Sequence, residues 1–353
     1  MDRDYFLSLA ESGIRMPIGA DLVLHEKGDR QAILHDGRRL GQVIAEAAHR
    51  YRTPLALPLM DLTIEKQAIA LELGVQADQI DQWHLSSAPS PEQLARFEAD
   101  RPWQPTARMT ATCDALRYIA TETDLVPVGM SIGPFSLMTK LVSDPITPVF
   151  LSGSGETAED EEEIALIESA LDLAERVIAR WLRAQAEAGA KAVFICEPAA
   201  NVAYFSPIQL DGGSDIYERY AMAPNRRLKA LLDELNVDLI FHDCGELTDS
   251  MVSSIGSIEP RVLSFGSSRR LWEDAALIPK HVVLYGNLPS KRFYSDELVS
   301  VGQVKDMAVD LEARMHAAGH PFILGSECDV LAVPGCEETI RAKVAAFVGR
   351  VTD

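Results

Sequence analysis

The chain has no run of roughly eighteen or more apolar residues, the length a membrane-spanning helix requires. Positive charge is scarce. Lys and Arg number 33 against 53 Asp and Glu, a formal charge of −20. That balance argues against nucleic acid and anionic membrane surfaces, because both select basic patches. Only five cysteines occur (Cys113, Cys196, Cys244, Cys328, Cys336), an odd number without a tight framework. In a reducing compartment they are thiols, free or metal-bound, rather than disulfides. The N-terminal stretch Met1 to Glu11 carries acids and has no apolar signal core, so a cytoplasmic location is expected.

Apolar residues make up 47% of the 353 positions, ample for one large core. Short apolar runs alternate with helical patterns, the signature of βα units and a parallel sheet. The runs are Leu55 to Met60, Ile80 to Leu85, Val126 to Ile132, Ala192 to Glu197, Asp238 to Asp243, Arg261 to Phe265, Val282 to Gly286 and Phe322 to Ser326. These are eight strands, the number a (β/α)8 TIM barrel requires. The expected organisation is a single domain over 1–353, with 1–50 as an N-terminal extension and 51–353 as the barrel. A helix is predicted from about Ala158 to Ala188, where Ile164, Ile167, Leu171, Ala174, Ile178 and Trp181 or Leu182 recur at helical spacing. Thr157 or Ser154 is the expected cap, the acids of Glu156 to Glu163 suit its positive end, and Gly189 stops it. The Pro-rich segment Ser87 to Pro105 reads as an excursion from the barrel.

Active-site residues of such barrels come from the C-terminal ends of strands. His242 and Cys244 close one apolar run and Cys328 closes another. Residues i and i+2 of a strand share a side, so His242 and Cys244 converge, and a second strand can bring Cys328. Two thiolates and an imidazole suit Zn²⁺, and three protein ligands leave a fourth position open, as in a catalytic centre. The same residues are also compatible with ordinary packing of buried thiols and a core histidine. Gly129, Ser131, Gly133 and Pro134, then Glu197, then Asn287, and finally Glu327 gather at other strand ends.

The run Val128 to Leu137, with Gly-Pro-Phe-Ser, resembles the Gly-Pro-Phe-[Ser/Thr] segment of the uroporphyrinogen decarboxylase superfamily. Tyr285 to Pro289 is similar to its Gly-Asn-Leu-Asp-Pro turn. Cys196 to Asn201, followed by Phe205-Ser206-Pro207, is similar to its strand-end acid and Ser-Pro helix start. The order agrees roughly from Pro17 to Phe347, and the resemblance implies a (β/α)8 barrel. In the corrinoid-dependent methyltransferase branch, zinc is held by His-x-Cys and a distant Cys. His242, Cys244 and Cys328, the last 84 positions beyond Cys244, match that pattern. The decarboxylases instead use an arginine-rich N-terminal segment and a His-Gly near the last strand. Here Ile14 to Asp21 holds only Arg15, and the last strand reads Gly325-Ser326-Glu327-Cys328.

The resemblance therefore implies methyl transfer between the cobalt of a corrinoid (cobalamin) and a small substrate. That substrate is either a thiol acceptor or a methoxylated (aromatic) donor. No Asp-x-His-x-x-Gly signature is present, so cobalamin is expected from a partner corrinoid protein or from solution. Glu197 reads as a substrate holder, a displaceable fourth ligand or a capping acid, and Asn287 as a substrate-orienting residue or a turn residue. Gly129, Gly133 and Pro134 read as a loop that admits the cofactor. Asp243 is expected to point away from its neighbours. Phe135, Tyr204, Phe205 and Phe293 read either as an aromatic pocket or as core. Cys113, Cys196, Cys336 and the other histidines lack a partner pattern. The competing readings are a metal-free porphyrinogen decarboxylase and a catalytically silent zinc or corrinoid binder.

Overall fold

The computed structural model describes residues 3–98, 101 and 103–349. Its frame is one sheet of eight parallel strands: β1 (Arg15–Ile18), β2 (Leu55–Ala56), β3 (Val126–Ile132), β4 (Ala192–Cys196), β5 (Asp238–Asp243), β6 (Val262–Phe265), β7 (Val283–Leu288) and β8 (Phe322–Asp329). They lie side by side in the order β1-β8-β7-β6-β5-β4-β3-β2. Among the described residues β1 and β2 share no ladder, so the barrel has a seam there. Side chains bridge it: Met16 and Ile18 join Leu55 and Leu57 in one buried cluster.

Strand alternation sorts two cores. Ala192, Phe194 and Cys196 of β4 fill the barrel interior with Val128, Met130, Ile240 and Tyr285. Val193 and Ile195 face the helices. Because both faces are buried, such strands read as continuous apolar runs. Phe6 of the helix Arg3–Glu11 enters the interior cluster, and this helix lies against the starts of the strands.

Two strand assignments from sequence are corrected. Ile80 to Leu85 is no strand: Ala77–Gln82 is a 3-10 helix in which only Ile80 is buried, so the segment has no second face to pair. The missing strand is β1, within the stretch read as an N-terminal extension. It is short and contains Pro17, which an edge strand tolerates because one side of it makes no ladder. The count of eight survived through these two opposite errors.

The long helix runs over Glu162–Glu187 and buries Ile164, Ile167, Leu171, Ala174, Ile178, Trp181 and Leu182, as expected. Its start lies later than the sequence suggests, because Thr157 binds Asp160 in a local turn and does not cap the helix. Trp181 Nε1 and Gln185 Nε2 donate to the Met130 carbonyl at 3.2 and 3.1 Å, which fastens the helix to β3. The segment 87–105 holds the short helix Pro91–Ala95; residues 99, 100 and 102 lie outside the described residues. Among the described residues no helix is long and apolar enough to cross a membrane.

Candidate metal centre

His242 ends β5 with its side chain inward, and register places it between Cys196 of β4 and Ser264 of β6. The imidazole is 1% exposed and meets the Phe194 ring edge-on at 5.9 Å. Its Nδ1 is 2.9 Å from Ser264 Oγ, while Nε2 is buried without a hydrogen-bond partner. An orphaned buried ring nitrogen is costly unless something absent from the protein satisfies it.

Cys244 follows two residues on, facing the same way. Gly266 makes room for it: a Cβ there would sit 2.7 Å from the Cys244 carbonyl oxygen. Asp243 points to the other side, buried, with Oδ1 accepting from Gly245 N at 2.8 Å; burial pushes its carboxyl up.

Cys328 does not follow from simple alternation. Ile323 faces the interior, and strict period two would turn Cys328 outward. The register of β8 against β1 slips instead: Met16 opposes Gly325, but Ile18 opposes Asp329. Cys328 falls within that irregular stretch, between Gly325 and Asp329, and its thiol reaches the other two ligand atoms. The ligand atoms of His242, Cys244 and Cys328 lie within 4.8 Å of one another, the single such His/Cys/Asp/Glu group among the described residues. Cys244 is pushed down by a hydrogen bond from Cys328, helped by His242 and Lys291 against the cost of burial, and Cys328 is pushed up by that same bond.

The surrounding loops are braced from within. Glu327 accepts from Ser267 N at 2.8 Å and from Lys291 N at 3.3 Å, and Ser290 Oγ donates to the Cys328 carbonyl at 3.3 Å. These bonds set Lys291 beside the thiols. Burial alone would push its ammonium down, but the thiolate of Cys244 outweighs that and raises it. Asn287 Nδ2 donates to the carbonyls of Gly266 and Arg269 at 2.8 and 3.0 Å, so it supports the loop after β6.

Glu197 lies outside the thiol–imidazole group. Its carboxylate accepts from Phe135 N (3.1 Å), Ser136 N (2.8 Å) and Asn225 Nδ2 (2.7 Å), capping the helix Pro134–Leu141. Burial pushes its carboxyl up, and the three donors oppose the shift. Protein atoms fill the space beside the Cα of both glycines. A Cβ at Gly133 would overlap the Glu197 carboxyl, one at Gly129 would overlap Gln185 Oε1, and Pro134 is the buried first residue of the capped helix. The aromatic residues resolve toward core: Phe135, Phe205 and Phe293 are fully buried, and Tyr204 packs edge-on against Phe135. Cys113, Cys196 and Cys336 lie outside the ligand group.

Sequence reasoning missed Ser264 and Lys291. The signal for Ser264 was a lone hydroxyl in the apolar run Val262–Phe265. Lys291 carried no signal beyond its place just after the Gly-Asn-Leu-Pro turn.

The sequence profile of the family described as uroporphyrinogen decarboxylase (URO-D) matches residues 23–351. A methylcobamide:CoM methyltransferase, MtbA, of Methanosarcina acetivorans is 28% identical over 128 residues, covering 36% of this chain and 33% of that protein. The Methanosarcina mazei MtbA is 26% identical over 148 residues, covering 41% and 39%. The matches thus span well under half of these relatives' length. A solved methyltransferase structure from Methanosarcina mazei aligns with a TM-score of 0.65 at 18% identity, over 95% of this chain and 91% of that one, which shows a shared fold.

Proposed function

Because the chain belongs to the uroporphyrinogen decarboxylase family, and sets one imidazole and two thiols together where strands end, we propose that it is a zinc-dependent corrinoid methyltransferase. It moves a methyl group between cobalt and a small substrate, either a thiol acceptor or a methoxylated donor undergoing O-demethylation. The observation that carries this reading is the buried, unpartnered Nε2 of His242 beside the thiols of Cys244 and Cys328. His242, Cys244 and Cys328 would hold Zn²⁺, which supplies a Lewis acid with an open position to stabilise a substrate thiolate or a leaving oxygen. The corrinoid, on a partner protein or free, supplies the cobalt.

The chain's own groups have defined tasks. Ser264 fixes the imidazole orientation, as the outer partner of a metal-bound histidine does. The neighbouring Cys328, His242 and Lys291 favour the thiolate form of Cys244, the form that a metal binds. Lys291 adds a positive charge next to the thiols, where a substrate anion would otherwise repel them. Glu197 and Asn287 act from behind, by holding the helix after β3 and the loop after β6.

Decarboxylation of a polycarboxylate fits these residues less well. Arg15, the single arginine of the N-terminal segment Ile14 to Asp21, is committed to Glu312 (2.8 and 2.6 Å) and to the Phe347 carbonyl (2.8 Å).

The test is zinc stoichiometry by elemental analysis, with Cys244→Ser and Cys328→Ser measured beside the parent. The expected result is one zinc per chain, lost in both variants, and demethylation of methylcobalamin or transfer from methoxyarenes by the parent alone. Absence of zinc, or zinc indifferent to both substitutions, overturns the proposal.

A further inference from the structure

Ile146 and Phe150 are 52% and 51% exposed, one turn apart on the helix Ile146–Gly153. Residues four apart share a helix face. Ile208 is 84% exposed on the neighbouring helix Pro207–Asp211. The two helices are pinned to each other. Gln209 Nε2 donates to the Phe150 carbonyl and to Ser154 Oγ, both at 2.8 Å, and Ser214 Oγ donates to the Gly153 carbonyl at 2.9 Å. The approach is close: a Cβ at Gly153 would lie 2.5 Å from Gln209 Oε1. Ser152 Oγ, 2.8 Å from the hydroxyl of buried Tyr220, anchors the first helix to the body of the barrel. The exposure of these three side chains is therefore a fixed property of the surface.

This face lies on the mouth side of the barrel. One helix follows β4, and the other leads into the helix Glu162–Glu187, which runs back to the start of β4. An acidic stretch borders it. Glu156 N donates to the Leu151 carbonyl at 3.2 Å, at the end of the helix that carries Phe150. Glu156, Glu159, Glu162 and Glu163 are exposed and make no ion pair among the described residues. Arg219, beside Ser152, is committed to Asp215 at 2.8 Å and to the Ser152 carbonyl at 3.1 Å. Exposed apolar side chains rimmed by charge have the anatomy of a protein contact. The sign of the rim selects the occupant. It repels nucleic acid and anionic membranes, and in a two-fold contact between copies acids would approach acids. A partner with cations around its own apolar centre is complementary.

We propose that the face formed by Ile146, Phe150 and Ile208 docks a protein partner whose contact surface is apolar and bordered by lysines or arginines. Phe150 and Ile208 are its anchors, and the acids of 156–163 draw the partner in and set its orientation. The surface stands whether or not His242, Cys244 and Cys328 hold a metal.

Fluorescence anisotropy on the full chain tests this with two labelled amphipathic helical peptides, one of leucine and lysine, the other of leucine and glutamate. The expected result is binding of the lysine peptide alone, weakened about tenfold in the Phe150→Ser/Ile208→Ser variant, the scale of lost interface anchors. Both side chains are exposed, so that variant should melt with the parent. A Glu156→Gln/Glu159→Gln/Glu162→Gln variant should keep the apolar contribution and lose most of the salt dependence. Absence of binding, equal binding of the glutamate peptide, or lysine-peptide binding that is unchanged in Phe150→Ser/Ile208→Ser overturns the proposal. Sedimentation velocity of the parent decides against a second copy. A doubled mass that reverts in Phe150→Ser/Ile208→Ser would assign the face to self-association and overturn the proposal as well.

Discussion

Ser264 Oγ stands 2.9 Å from Nδ1 of His242, and this one contact leaves Nε2 as the nitrogen available to a metal. Ser264→Ala frees the ring to rotate and to change tautomer. Loss of such an outer-shell partner typically costs about 10- to 100-fold in metal affinity. Competitive titration with a chromophoric chelator should show that loss, with the circular dichroism spectrum unchanged. Parent-like affinity would remove Ser264 from the centre.

Zinc removal should leave the barrel folded. The interior and outer cores are built from apolar residues on all eight strands, and the three ligands lie at strand ends. A bound metal then stabilises through mass action, so chelation should lower the melting temperature by about 2–5 °C rather than abolish the transition. Scanning calorimetry with and without chelator reads the difference.

Glu197→Gln places an amide where two backbone N–H groups and Asn225 all donate. One donor must then face another, which costs about 2–4 kcal/mol for a buried group. Gly133→Ala attacks the same contact from the other side, because its Cβ overlaps the carboxyl. Both variants should unfold at lower urea than the parent while retaining stoichiometric zinc. Zinc loss with unchanged stability would instead make Glu197 a ligand.

Glu65 supplies a pH signature. It is buried, accepts from Ser131 Oγ at 2.7 Å and Ile132 N at 3.2 Å, and burial pushes it up to about 7. A raised carboxyl holds its proton in the folded state after the unfolded chain has released it. Its stabilisation is therefore complete below about pH 4.5 and is lost as pH rises toward 7. Across that window the loss sums to about 3 kcal/mol, because each pH unit contributes roughly 1.4 kcal/mol. Glu65→Gln should flatten the stability profile over the same range in urea titrations; an unchanged slope would assign the pH dependence to other groups.

How much was legible in the sequence depends on what each residue required. His242 and Cys244 needed only strand alternation, which the local pattern carries. Cys328 lies in the irregular end of β8, and its approach to His242 and Cys244 depends on strands far apart in the chain, which local pattern does not carry. β1 was hidden because Arg15 and Pro17 break an apolar run of four residues, and pairing with β8 alone holds it in the sheet. Ile80 misled for the opposite reason, since one buried side chain in a polar turn imitates the start of a strand. The sequence reads Gly129 and Gly133 as part of a loop that admits the cofactor, because glycine does not reveal its neighbour. The approaching atoms belong to Gln185 and Glu197, on elements far along the chain.

Cys328 lies on the last strand of the sheet, which inserts between β7 and β1. His242 and Cys244 can be in place long before it, yet the third ligand arrives only when the first strand and the last have met. A nascent chain still missing its final segment has two ligands and no centre. On the metal-centre proposal, metal acquisition would be a late step of biogenesis, and a filled site would be a record that β8 had reached β1.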